Sequence, residues 1–285
     1  MLLTTQAIDR VVIAALAEDA PWGDATSDAF LPEGAIATAQ LVAREAGVLS
    51  GGEVFARTML AADESIVTTL LLSDGARFEP GTVLATVSGP ARGVLLGERV
   101  GLNLVQRMSG IATVTASYVA AVAGTTARIV DTRKTTPGLR ALERHAVRSG
   151  GGGNHRFSLS DAVLAKDNHL AVLTASGVSL TEAIVRARAR ISHTTHLEVE
   201  VDRIDQIEPV LAGGVDTIML DNFSLDELRE GIAIVAGRAL VEASGGVNLD
   251  TVRAIAETGV DIISVGALTH SARALDLGLD LQVEA

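Results

Sequence analysis

The stretch LEVEVDRIDQIEPVLAGGVDTIMLDNFSLDELREGIAIVAGRALVEASGG, residues 197–246, decides the fold. It contains three short apolar runs, Leu197–Val201, Thr217–Leu220 and Ala239–Glu242, with amphipathic segments between them, the second opening at Ser224. Strands that alternate with helices pair in parallel, because each helix returns the chain to the starting end of the sheet. The rhythm extends both ways. Upstream lie Ala127–Asp131 with a helix from Gly138, and Ala162–Ala165 with a helix from Ser179; downstream lie a helix from Asn248 and the run Asp261–Val265. Six strands fall short of the eight of a closed barrel, so the expected class is α/β with an open (incomplete) barrel of parallel strands.

The chain before this region has a different texture. Ile8, Val11, Val12, Ala15 and Leu16 have helical spacing within 6–19, and Pro21-Trp22-Gly23-Asp24 ends that helix. Ala35–Gly51 reads as strand, followed by a short helix to about Ala62. Ile66–Leu72 and Thr82–Val87 read as strands, and a helical region over Leu95–Ala123 is expected to break near Ser109-Gly110. The boundary is placed near Ala112, giving domains 1–112 and 113–285, with the C-terminal tail free to pack back on the first.

Composition removes several classes of function. The 285 residues carry a net charge of −12, which argues against nucleic acid or an anionic membrane as partner. No cysteine is present, which excludes disulfides, zinc–thiolate sites, iron–sulfur clusters and a cysteine nucleophile. The acidic start resembles no signal peptide, and no apolar run is long enough for a bilayer, so a cytoplasmic protein is expected.

In βα barrels the chemistry lies at the carboxyl ends of the strands. Here those ends read Asp131-Thr132-Arg133-Lys134, Lys166-Asp167-Asn168-His169, Glu198 and Glu200, Asp221-Asn222, Glu242-Ala243-Ser244-Gly245-Gly246, and Gly266-Ala267. All are polar, charged or glycine-rich. Of 23 basic residues only Lys134 and Lys166 are lysine, and both fall in this set. In a chain that uses arginine elsewhere, a lysine marks a place where a compact ammonium is needed. Residues 131–169 hold seven basic side chains against four acids, so the acidic chain has a cationic focus suited to a small polyanion. Gly150 to Gly153, followed by Asn154-His155-Arg156, offers backbone N–H groups to an anion, although a glycine run alone is as often a linker. Ser244-Gly245-Gly246 and Gly266-Ala267 suit a phosphate. Glu200 and Asp221 suit Mg²⁺, through water, or ribose hydroxyls; the plainer alternative for the Glu198/Glu200 pair is a structural salt bridge.

The motifs Asp-Thr-Arg-Lys-Thr-x-Pro-Gly (131–138), Gly-Gly-Gly-x-Asn-His-Arg (150–156), Lys-Asp-Asn-His (166–169), Glu-Val-Glu-Val (198–201), Leu-Asp-Asn-Phe (220–223), Glu-x-Ser-Gly-Gly (242–246) and Val-Gly-Ala-Leu-Thr-His (265–270) together resemble the quinolinate phosphoribosyltransferases. Glu-Asp-x-x-x-Gly-Asp-x-Thr (18–26) and Glu-Arg-x-x-Leu-Asn (98–103) extend the resemblance over essentially the whole chain. It implies an N-terminal α/β sandwich before the open barrel, and a Mg²⁺-dependent reaction of quinolinate with phosphoribosyl pyrophosphate to nicotinate mononucleotide, pyrophosphate and CO₂. By resemblance, Thr132, Arg133, Lys134, His155, Arg156 and Lys166 hold quinolinate carboxylates or nearby phosphates. Glu200 and Asp221 bind ribose and metal, and Ser244, Gly245, Gly246, Gly266 and Ala267 take the 5′-phosphate. Lys134, Lys166, Glu200 and Asp221 are the expected catalytic set. Arg99 reaches into a partner subunit, which requires at least a homodimer. Three rivals stand beside this reading: a molybdenum-transport-associated paralogue, disfavoured because Asn-His-Arg, Lys-Asp-Asn-His and Asp-Asn-Phe are all present; a Schiff-base aldolase using Lys134 or Lys166; and a non-catalytic phosphometabolite-binding regulator, against which Glu200 and Asp221 argue.

Overall fold

The computed structural model describes residues 3–166, 168–169, 172 and 177–284. The chain divides into two compact units, one made of Met1–Ala116, Thr135–Gly151 and Leu268–Ala285, the other of Ser117–Lys134 and Gly152–Ala267.

The first unit is built on an antiparallel sheet. Its strands are β1 (Ile36–Ala43), β3 (Val67–Leu70), β5 (Val83–Pro90) and β12 (Leu277–Glu284), in the order β12-β1-β5-β3. A short pair, β2 (Gly47–Val48) and β4 (Arg77–Phe78), stands beside it. Along β1 the residues alternate, and Ala37, Ala39 and Leu41 turn inward. They join Phe55 and Met59 of α3 (Gly52–Ala62) and Val94, Leu102 and Val105 of α4 (Ala91–Ala121) in one core. Helix α1 (Thr5–Asp19) packs against α3. Asp24, in the turn that ends α1, caps the short α2 (Ala25–Phe30) by accepting the Thr26 and Ser27 N–H groups. The C-terminal β12 pairs with β1 along its whole length, from Ile36↔Glu284 to Ala43↔Leu277.

The expected break in α4 is corrected by the structure: the helix runs through Ser109 and Gly110. Both residues serve close approach. The Ser109 hydroxyl accepts the Ser50 N–H at 3.1 Å and donates to the Ser50 carbonyl at 3.2 Å. A Cβ at Gly110 would lie 2.0 Å from the Arg273 carbonyl oxygen. Near this crossing Arg107 binds the buried Glu143 of α5 (Arg140–Ser149) at 2.8 Å and the Ala272 carbonyl at 2.9 Å. The other Glu143 oxygen accepts the Thr136 N–H at 3.1 Å.

The second unit is a parallel sheet of β6 (Arg128–Val130), β7 (Val163–Ala165), β8 (Leu197–Val201), β9 (Thr217–Asp221), β10 (Leu240–Ser244) and β11 (Ile262–Ser264). Their order is β6-β11-β10-β9-β8-β7, the cyclic sequence of a βα barrel left open between β6 and β7. Helices α6 (Leu180–Arg188), α7 (Ile207–Ala212), α8 (Leu225–Val235) and α9 (Val252–Ala256) follow β7 to β10, and a one-turn α10 (Ala267–His270) follows β11. Ser179 and Ser224 cap α6 and α8, the latter in a reciprocal box with Glu227. Val199, Ile218, Leu220, Val241, Ala243 and Ile263 are buried. By the two-residue period, Glu198, Glu200, Met219, Asp221, Glu242, Ser244 and Ser264 take the opposite face. At the open seam, Gly153 forms a parallel bridge with Val130. Its N–H donates to the Ile129 carbonyl at 2.8 Å, and its own carbonyl accepts the Asp131 N–H at 3.2 Å.

Among the described residues no helix is long and apolar enough to cross a membrane. The Gly110 crossing is testable: Gly110→Ala forces a backbone carbonyl aside and should cost about 1–3 kcal/mol of stability, read as a lowered urea midpoint.

Candidate active site

Because all six barrel strands run the same way, their carboxyl ends meet at one rim. One pocket there is lined by Thr132, Arg133, Lys134, His155, Arg156, Leu164, Lys166, Glu200, Met219, Asp221, Glu242, Ser244 and Ser264. Nine of these are residues to which the sequence assigns a binding or catalytic role, contributed by the ends of five strands and by the seam loop.

The rim carboxylates have partners. Lys166 Nζ lies 2.5 Å from Glu200 Oε2. Asp221 Oδ2 accepts the Asn222 side-chain amide at 2.7 Å. Asn222 is a non-glycine residue in the left-handed region (φ 60°), and its N–H donates to the Ser244 carbonyl at 2.9 Å. Gly245, at φ 91°, nests against it; a Cβ there would fall 2.1 Å from the Asn222 side-chain oxygen. The Asp-Asn-Phe and Ser-Gly-Gly motifs therefore interlock, and only glycine fits at the second. Gly246 is also left-handed, at φ 60°. Gly266 and Ala267 follow β11, with Ala267 opening α10, and neither lines the pocket. Arg99 is exposed on α4 in the other unit. Asp167, at the centre of the Lys-Asp-Asn-His motif, lies outside the described residues.

Beneath His155 the floor holds Glu198, for which the sequence offered a structural salt bridge, and Glu242 and Ser264, to which it gave no role. His155 Nε2 lies 3.0 Å from Glu198 Oε2 and 3.6 Å from Glu242 Oε2. His155 Nδ1 accepts the Arg156 N–H at 2.8 Å. Glu198 Oε1, Glu242 Oε1 and Ser264 Oγ are buried without a hydrogen-bond partner. Burial, reinforced by the Glu198 charge, pushes the Glu242 carboxyl up to about 8. Burial alone would lower the His155 pKa, but the Glu198 hydrogen bond and the charges of Glu242, Glu198 and Asp131 outweigh it and raise it. Burial, then the neighbouring Arg133 charge, lowers the pKa of Arg156. The three atoms around His155 lie within 4.8 Å of one another, close enough to share one cation. In this structure the His155–Glu198 contact is a hydrogen bond, which such an ion would have to displace. The signal for Glu242 and Ser264 was the strand period: Glu242 shares a face with Ser244, as Glu198 does with Glu200.

A cationic rim over a carboxylate floor, raised on the ends of a parallel barrel, is the construction of an enzyme that handles phosphorylated polyanions. Comparison fixes the family. Residues 111–280 match the quinolinate phosphoribosyl transferase C-terminal domain and residues 24–109 its N-terminal domain. The chain belongs to the quinolinate phosphoribosyltransferase family. It is 46% identical to the nicotinate-nucleotide pyrophosphorylase [carboxylating] of Mycobacterium leprae over 94% of both chains. It is 42% identical to the probable enzyme of that name from Bacillus subtilis, over 93% of this chain and 90% of the other. Among solved structures it resembles NadC from Streptococcus pyogenes, with a TM-score of 0.94 and 41% identity over all of both chains.

The raised Glu242 pKa has a stability consequence. Between the usual carboxylate pKa and about 8, the folded state holds a proton on Glu242 that the unfolded chain has released. Stability therefore falls as pH rises through that window, by at most about 1.4 kcal/mol per pH unit. Glu242→Gln removes this term. Its melting temperature relative to wild type should climb steadily from pH 5 to pH 8; a constant difference would show that Glu242 is ionised throughout.

Proposed function

We propose that this chain transfers phosphoribosyl from phosphoribosyl pyrophosphate to quinolinate with loss of CO₂, forming nicotinate mononucleotide for NAD synthesis. The observation that carries the reading is the single pocket in which Arg133, Lys134, His155, Arg156 and Lys166 surround Glu200 and Asp221. Quinolinate is a dianion and its co-substrate a polyanion. An acidic cleft would repel both and a neutral one would not attract them, whereas this one is the cationic focus of a protein whose net charge is −12.

In this reading Arg133, Lys134, His155 and Arg156 grip the two carboxylates of the acceptor, with Thr132 at the edge. Arginine gives planar paired donors and lysine a compact charge. Ser244, Gly245, Gly246, Gly266 and Ala267 take the 5′-phosphate, the glycines letting backbone N–H groups approach it. The pyridine nitrogen attacks the anomeric carbon while the carbon–oxygen bond to pyrophosphate breaks, and the leaving oxygen keeps the electron pair. Positive charge grows on the ribose, and Glu200 and Asp221 stabilise it. Holding nitrogen and carbon in line is a large part of the acceleration. The pyridinium so formed then draws the electrons of the C2–carboxylate bond as CO₂ departs, and C2 takes up a proton. No covalent bond to the protein is needed, which sets this reading apart from a lysine Schiff base.

Glu200 and Asp221 fit Mg²⁺: they are hard oxygen donors on neighbouring strands β8 and β9. Both already accept hydrogen bonds, so holding the ion through water keeps those contacts. When bound, Mg²⁺ supplies charge that neutralises pyrophosphate oxygens. We place the enzyme in the cytoplasm as a homodimer or higher oligomer, with the exposed Arg99 extending the cationic set of a partner's pocket.

With quinolinate, phosphoribosyl pyrophosphate and Mg²⁺, the purified protein should release CO₂ and nicotinate mononucleotide, and nicotinate should not replace quinolinate. Arg156→Ala should raise the quinolinate KM by about 10- to 100-fold, the loss of one charge-assisted contact. Turnover of nicotinate at a comparable rate would overturn the assignment. Borohydride inactivation in the presence of a phosphosugar would favour the aldolase.

A further inference from the structure

We propose that Asp131 is a positioning residue whose buried carboxylate, accepting the Asn154 side-chain amide and the His155 backbone N–H, fixes the loop that presents His155 and Arg156 to the acceptor acid. The proposal rests on the reading of those two side chains as acceptor-binding groups.

Asp131 is fully buried and does not line the pocket. Its Oδ1 accepts the His155 N–H at 2.8 Å, and its Oδ2 accepts the Asn154 Nδ2 at 2.6 Å. Its own N–H donates to the Gly153 carbonyl at 3.2 Å. Backbone and side chain of one residue thus hold three successive loop residues, Gly153, Asn154 and His155. A buried carboxylate is tolerated when hydrogen bonds replace its lost hydration. Asp131 draws two of those bonds from this loop, so loop and carboxylate are fixed together.

The effect carries into the pocket. His155, held at its backbone by Asp131, has its ring held by Glu198 at 3.0 Å. Its other nitrogen takes the Arg156 N–H at 2.8 Å, and the Arg156 guanidinium donates to the Ala162 carbonyl at 2.9 Å. The orientation of both rim cations is therefore set through the bond that begins at Asp131. Among the described residues no other strand reaches this loop from the seam side, because the sheet is open between β6 and β7. Asp131, immediately after β6, does what a neighbouring strand would have done.

The donor and acceptor can be exchanged. Asn154→Asp alone sets two carboxylates face to face across a 2.6 Å contact. Adding Asp131→Asn restores one amide opposite one carboxylate, and the new amide oxygen can still accept the His155 N–H. N154D should raise the quinolinate KM at least about tenfold and lower the melting temperature, with the phosphoribosyl pyrophosphate KM changed less than about threefold. The D131N/N154D variant should bring the quinolinate KM back to within about threefold of wild type and recover most of the melting temperature. A double variant as impaired as N154D, or worse, overturns the proposal. So does an equal rise in both KM values, which would mark a general loss of structure. If N154D does not fold, the double variant decides by the same criteria. If wild type fails to use quinolinate, the functional reading falls, while recovery of the melting temperature still reports the exchange at Asp131.

Discussion

Among the described residues the parallel sheet stops at six strands, with β11 on one side of β6 and no strand on the other, and the pocket depends on how that edge is satisfied. Main-chain donors and acceptors must be paired wherever water is excluded. Gly153 supplies the missing backbone partner at Val130, and Asp131 extends the stitching by one side chain. The loop that closes the sheet is also the loop that carries His155 and Arg156. The same contacts that satisfy the β6 edge hold the loop of the cationic rim, so a gap in the barrel becomes a way of building a binding surface from backbone.

The second constraint is electrical. Five cationic or protonatable groups crowd one rim, and two polyanionic substrates must enter and a pyrophosphate must leave. Unrelieved positive charge would hold the product too firmly, and unrelieved repulsion would splay the empty pocket. The carboxylates resolve this. Glu200 pairs with Lys166, and Glu198 and Glu242 lie under His155. Burial and the neighbouring Glu198 push the Glu242 carboxyl up to about 8, which favours its neutral form and eases the crowding of charge beneath His155.

Much of this was legible in the sequence. The barrel strands showed as short apolar runs because their outward residues, such as Val199, Ile218 and Val241, lie buried beneath helices. The rim residues showed because strand ends of this chain are almost all charged or glycine-rich. What failed was long-range. Ser109-Gly110 looked like a helix break because composition cannot reveal a crossing carbonyl; the glycine is there for Arg273. The strands β2 and β4 are two residues each and carry no period. Strand β12 alternates Leu277, Leu279 and Leu281, yet its place beside β1 joins positions some 240 residues apart. Asp131, Glu198, Glu242 and Ser264 could be seen as polar residues, but their role as floor and seam depends on neighbours brought in by the fold. The glycine run at 150–153 was balanced between linker and anion site, and the bridge at Gly153 shows that it also completes a sheet.

The scarcity of lysine has a practical side. Both lysines, Lys134 and Lys166, face the pocket, and the remaining 21 basic residues are arginine. Apart from the chain's α-amino group, the surface is blind to amine-directed chemistry. An activated ester, an aldehyde-coated bead or an isothiocyanate dye would find its lysine targets at this pocket. Immobilising this enzyme through its lysines would therefore cork the pocket, whereas its abundant surface carboxylates offer anchor points that leave the entrance open.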